Sequence, residues 1–140
     1  KKILIVNANY YDDVTKRLLL ASTKFLKKKK INLYILNVPG VFEIPLTIRK
    51  YINKYDAFIA LGCVIKGKTP HFDLICKSSF NALMNLSINY KKPIGNGIIT
   101  ALNKKQAYER CGKIKSKKQN KGFEAAYAAL SILNNGPKKI

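Results

Sequence analysis

The segment Gly67 to Asp73 (GKTPHFD) holds the only histidine of the chain. Imidazole is the side chain that both gives and takes a proton near neutral pH, so His71 is the first candidate for acid–base chemistry. It follows a glycine-containing loop and stands in the first turn of an expected helix. Free backbone N–H groups and the positive end of a helix dipole make such a turn a place for an anion, phosphate above all. Lys68, Thr69 and Arg110 add charge and donors. The loop lacks the second glycine, followed by Lys and Ser or Thr, that a nucleotide P-loop needs. On spacing alone the segment is an anion site with a base beside it, and no reaction follows.

Three other segments carry unusual residues: Asn7 to Tyr10, Pro39 to Glu43 and Gly95 to Gly97. Glu43 stands before a helix, where it is either a carboxylate stabilised by the dipole or a contact to a ligand hydroxyl. Tyr10 or Tyr11 either stacks on a planar heterocycle or lids the core. The three cysteines, Cys63, Cys76 and Cys111, have no CxxC spacing. They read as reduced thiols, without a disulfide framework or a zinc knuckle.

Positioning these segments requires an α/β chain. Short β-branched runs alternate with stretches of helical period, the pattern of a parallel sheet in which ligands gather at the carboxyl ends of the strands. Strands are expected at Lys2 to Val6, Asn32 to Val38, Ala57 to Ile65 and Ile94 to Thr100, the third apolar on both faces as a central strand is. Helices are expected from Asp12 to Lys28, with Val14, Leu18, Leu19, Ser22 and Phe25 buried, and from near Pro45. A third runs from Pro70 to Asn89 with Thr69 as its cap, a fourth from the Asn103 cap to Cys111, and a last through Leu133 after the basic loop Gly112 to Gln119. All four unusual segments are expected at the carboxyl edge of the sheet.

A length of 140 residues with 47% hydrophobic content suits one folded domain. The net charge of +20 raises the question of nucleic acid. Nearly all of it comes from lysine, however, and lysine, asparagine and isoleucine share A/T-rich codons. Arginine forks and exposed aromatics, which specific nucleic-acid sites use, are not clustered, so a field that favours a small anionic substrate is the preferred reading. The run Lys27 to Lys30 reads as a solvated helix end. No apolar run approaches the length that spans a bilayer, and no signal-peptide pattern opens the chain. The expectation is a cytoplasmic protein that binds neither membrane nor specific nucleic acid.

With these residues assembled, the chain closely resembles the lumazine synthase family over essentially its whole length. The resemblance is carried by VPGVFEIP (Val38 to Pro45), KYDAFIALGCVIKGKTPHFD (Lys54 to Asp73), PIGNGIIT (Pro93 to Thr100), QAYERCG (Gln106 to Gly112) and NKGFEAAYAAL (Asn120 to Leu130). It implies one domain over residues 1–140, a three-layer α/β/α sandwich around a four-stranded parallel sheet in flavodoxin-like order. It also implies condensation of 5-amino-6-(D-ribitylamino)uracil with 3,4-dihydroxy-2-butanone 4-phosphate, giving 6,7-dimethyl-8-ribityllumazine, phosphate and water, with no cofactor and no metal.

By the same resemblance His71 is the proton-transfer residue and Tyr10 stacks on the pyrimidine. Val41, Phe42 and Glu43 bind the ribitylaminouracil, Glu43 through ribityl hydroxyls. Cys63, Val64 and Ile65 line the heterocycle through backbone groups, so Cys63 is not a nucleophile. Lys68 and Thr69 offer backbone donors to the butanone phosphate, together with the Arg110 side chain and Lys121. Asn96 stands where much of the family has phenylalanine and is carried over only as a backbone contact. The loop between Arg110 and Lys121 is longer than the short form of icosahedral shells, which implies a homopentamer with sites between subunits; riboflavin synthase is a candidate partner. Two other readings stay open: a flavin-binding relative without catalysis, and a basic module for nucleic acid or acidic surfaces.

Overall fold

The computed structural model describes residues 1–112 and 120–140. The basic loop, and with it the argument from its length to assembly, lies outside the described residues but for Gly112. Four strands, β1 (Lys2–Ala8), β2 (Asn32–Val38), β3 (Ala57–Ile65) and β4 (Ile94–Ala101), form one sheet. All pairings are parallel, in the order β2-β1-β3-β4. Helices α1 (Asp12–Leu26), α2 (Ile44–Lys50), α3 (His71–Tyr90), α4 (Lys104–Glu109) and α5 (Lys121–Asn134) complete the chain, with a 3-10 turn, Val41–Glu43, leading into α2. This is the expected three-layer sandwich in flavodoxin-like order.

Alternation along β1 and β3 feeds two cores. Ile3, Ile5, Ile59, Leu61 and Cys63 pack with Val14 and Leu18 of α1 and Ala125, Ala126 and Ala129 of α5. Leu4, Val6, Phe58 and Ala60 pack on the other face with Ile44 and Ile48 of α2 and Leu83 of α3. A strand apolar on both faces must be covered on both, which is why the β3 run AFIALGCVI lies inside the sheet. In α1 the expected stripe holds: Val14, Leu18 and Ser22 are buried, and Leu19 and Phe25 are half-buried against the same core.

Two local readings need correction. The third helix starts at His71, with Pro70 rather than Thr69 as its cap residue. The Pro70 carbonyl accepts the first helical N–H, from Leu74 at 3.2 Å. Thr69 contributes a weaker contact, its hydroxyl accepting from the His71 N–H at 3.4 Å. The second correction concerns Gly95 to Gly97, which lies in the first half of β4 opposite Ile59 to Leu61, well short of the strand's carboxyl end at Ala101. The glycine serves packing: a Cβ on Gly95 would lie 2.1 Å from the Ala125 carbonyl oxygen, so α5 could not lie this close to β4. Gly122 does the same where α5 crosses α1, its Cβ position falling 2.2 Å from the Leu18 carbonyl oxygen.

Candidate active site

The sheet order changes direction between β1 and β3: β2 lies beyond β1 on one side, β4 beyond β3 on the other. Connections from the two central strands therefore diverge, leaving a crevice at their carboxyl ends, the general ligand position of open α/β sheets. Here it is a groove of about 680 Å³, lined by the residues after β1 (Tyr10, Tyr11), the turn after β2 (Gly40 to Glu43), the end of β3 (Cys63 to Ile65), and His71 and Ile75 of α3. That volume is in the range of small-molecule sites.

Hydrogen bonds fix the rim. The Asn9 N–H donates to the Val38 carbonyl at 3.1 Å, tying the chain leaving β1 to the end of β2. Just inside the strands, the Asn7 amide donates to the Asn37 side-chain oxygen at 3.0 Å. The tyrosine pair divides its labour. Tyr11 is half-buried against the α1–α5 core, whereas the Tyr10 ring is 76% exposed and meets Tyr11 edge-on at 5.0 Å between centroids. Tyr11 is thus the lid, and Tyr10 is the ring free to stack on a planar ligand. Burial also raises the Tyr11 hydroxyl above its usual range, which keeps it protonated.

Glu43 makes no side-chain capping bond to α2. Its carboxylate instead folds towards Gly40, where an added Cβ would stand 3.1 Å from Oε1. Both readings of the sequence fit this position, since Glu43 precedes α2 and also lines the groove. Cys63 points into the core, 5% exposed, and burial pushes its thiol up to about 12. A thiol that stays protonated is no nucleophile at neutral pH, although Cys63 stands in the groove lining. His71 is exposed at the start of α3, on the groove wall.

The groove thus gathers Tyr10, Val41, Phe42, Glu43, Cys63, Val64, Ile65 and His71. The remaining expected residues stand outside its lining. Lys68 and Thr69 are exposed in the loop before His71, and among the described residues their N–H groups have no backbone acceptor. Arg110 is exposed at the end of α4, with Nη1 donating to the Gln106 carbonyl at 3.0 Å. The Arg110 carbonyl accepts from the Lys121 N–H at 2.8 Å, which joins the backbones that carry these two side chains. Asn96 lies in edge strand β4, and its side-chain oxygen accepts from the Ile98 N–H at 3.0 Å. Ile75 is not among the expected residues, though the helical period places it one turn beyond His71 on the same face, whereas Gly40 falls within the expected segment Pro39 to Glu43.

Among the described residues no three His, Cys, Asp or Glu side chains come together as a metal site, and no helix is long and apolar enough to cross a membrane. Residues 1–136 match the family described as 6,7-dimethyl-8-ribityllumazine synthase. A 6,7-dimethyl-8-ribityllumazine synthase of Bartonella bacilliformis is 40% identical over 136 residues, covering 94% of this chain and 87% of the relative. One from Rhodopseudomonas palustris is 42% identical over 139 residues, covering 94% and 83%, and one from Campylobacter curvus is 40% identical over 139 residues, covering 96% and 87%. With a matching pattern along nearly all its length and relatives at this identity, the chain belongs to the 6,7-dimethyl-8-ribityllumazine synthase family.

Proposed function

We propose that the chain condenses 5-amino-6-(D-ribitylamino)uracil with 3,4-dihydroxy-2-butanone 4-phosphate to 6,7-dimethyl-8-ribityllumazine, releasing phosphate and water. The observation that carries this reading is one groove holding an exposed aromatic ring, an uncommitted carboxylate and the only histidine. Tyr10 stacks on the pyrimidine, Val41 and Phe42 border it, and Glu43 takes ribityl hydroxyls. Backbone groups of Cys63, Val64 and Ile65 hold the heterocycle edge. His71 moves protons as the amine adds to the ketone, as phosphate is eliminated, and as the second amine closes the ring; a positioned acid–base group contributes about 10²- to 10⁴-fold.

The phosphate is held in this reading by backbone donors at Lys68 and Thr69, by the planar fork of Arg110 and by Lys121. Arg110, Lys121 and Asn96 lie outside the groove of their own chain, which supports a site completed by a neighbouring subunit, with Asn96 contributing backbone only. Leu46, Leu74, Met84 and Ile88 leave α2 and α3 with exposed apolar side chains that such a neighbour would cover. The assembly in this reading is a homopentamer in the cytoplasm, and riboflavin synthase consumes the product.

Mixing the purified protein with both substrates tests the proposal. Lumazine fluorescence and free phosphate should rise together in equal amounts. Silence in both channels refutes the reaction and leaves a flavin-binding relative as the alternative.

A further inference from the structure

A side-chain clasp at the carboxyl edge of the sheet has no part in the reaction as set out above. The Tyr108 hydroxyl donates to the Asp13 carboxylate, joining residues 95 positions apart. The Arg17 guanidinium lies 5.0 Å from the centroid of the same ring. Asp13 and Arg17 are one helical turn apart on α1, so a single helix face grips both the hydroxyl and the π face of Tyr108. Because α1 follows β1, α4 follows β4, and β3 lies between those strands, the clasp bridges the carboxyl end of β3. Arg110 leaves α4 two residues after Tyr108, and its carbonyl holds the Lys121 N–H.

We infer that Tyr108, gripped by Asp13 and Arg17, is a positioning residue that fixes the exit of α4 and so aims Arg110 and Lys121 at the substrate phosphate. This rests on the proposed reaction. Among the described residues neither cation has a carboxylate partner to hold its side chain, whereas the clasp anchors the backbone that carries them to α1.

Tyr108→Phe removes the hydroxyl and keeps the ring. It should raise KM for the butanone phosphate about three- to tenfold, the loss expected for one solvent-exposed hydrogen bond, while KM for the ribitylaminouracil and kcat stay within about twofold. Asp13→Asn should match it, and the double variant should be no worse than either single, as for two partners of one interaction. Inorganic phosphate binding, followed by calorimetry, should weaken in parallel and does not depend on turnover. Unchanged KM and phosphate affinity would overturn the inference, as would equal rises in both KM values with a lowered Tm, the mark of a merely structural contact. If the wild type makes no lumazine the reaction fails, and phosphate affinity alone decides the clasp.

Discussion

The outward face of α3 yields a prediction that links assembly to activity. This helix of 20 residues fully buries only Ser79 and Leu83 within its own chain. Leu74, Met84 and Ile88 stay 66%, 60% and 66% exposed. Complete burial of such a side chain is worth about 1.5–3 kcal/mol, so covering the exposed two thirds contributes about 1–2 kcal/mol each. Met84 and Ile88, one turn apart, together account for about 2–4 kcal/mol per subunit contact. Met84→Asp with Ile88→Asp removes that gain and adds the cost of burying carboxylates without partners. At about 1.4 kcal/mol per tenfold, dissociation of a contact should rise at least thirtyfold. Sedimentation velocity over a protein dilution series, with turnover measured on the same samples, should show the variant falling to smaller species as its activity falls. Circular dichroism should show the fold retained. A variant that sediments as the wild type does and keeps full turnover would refute both the interface and the shared site.

Other consequences are briefer. Cys63, held near 12 by burial, has a thiolate fraction on the order of 10⁻⁴ at pH 8; iodoacetamide should spare it until the protein unfolds, and fast alkylation of the native protein, read by peptide mass, would contradict its placement. Because that thiol is raised on folding, the native state loses stability as pH climbs from about 9.0 towards 12; a Cys63→Ala variant should lose less on that alkaline limb in urea titrations. Asp56 works in the opposite sense: its carboxylate accepts the Lys2 N–H at 2.7 Å, which lowers it below the usual 3.8. Its stabilisation is present above that value and is lost as pH falls through the folded one, so Asp56→Asn should flatten the acid limb. Gly95→Ala should misfold or lower Tm sharply, since α5 would have to move off β4; an unchanged Tm would show the contact to be softer than the geometry says.

The sheet was readable because each strand is a β-branched run between turn residues, and Asn32–Val38 and Ala57–Ile65 form as read. The groove was readable where the chain concentrates odd residues after strands: Tyr10, Glu43 and His71 meet as the carboxyl-edge rule requires. Gly95 to Gly97 misled because small residues look alike whether they admit a ligand or a helix, and only the packing of α5, which leaves no room for a Cβ on Gly95 beside the Ala125 carbonyl, separates the two. The start of α3 was misplaced by one residue because Thr-Pro reads as a cap followed by the favoured first helical position, whereas Pro70 itself stands at the cap. The clasp between Asp13, Arg17 and Tyr108 was illegible, since nothing local joins positions 95 apart. That Glu43 makes no capping bond to α2 likewise depends on a side-chain direction that no period encodes.

In the proposed reaction His71 carries protons in a groove that otherwise only binds. The most direct test of this role records lumazine formation and phosphate release for the wild type and His71→Ala, with ring binding followed on the same samples. Turnover in both channels should drop by about 10²-fold or more, with ring affinity nearly unchanged. Equal turnover by the two proteins would contradict the role assigned to His71 and, with it, the reading of the groove.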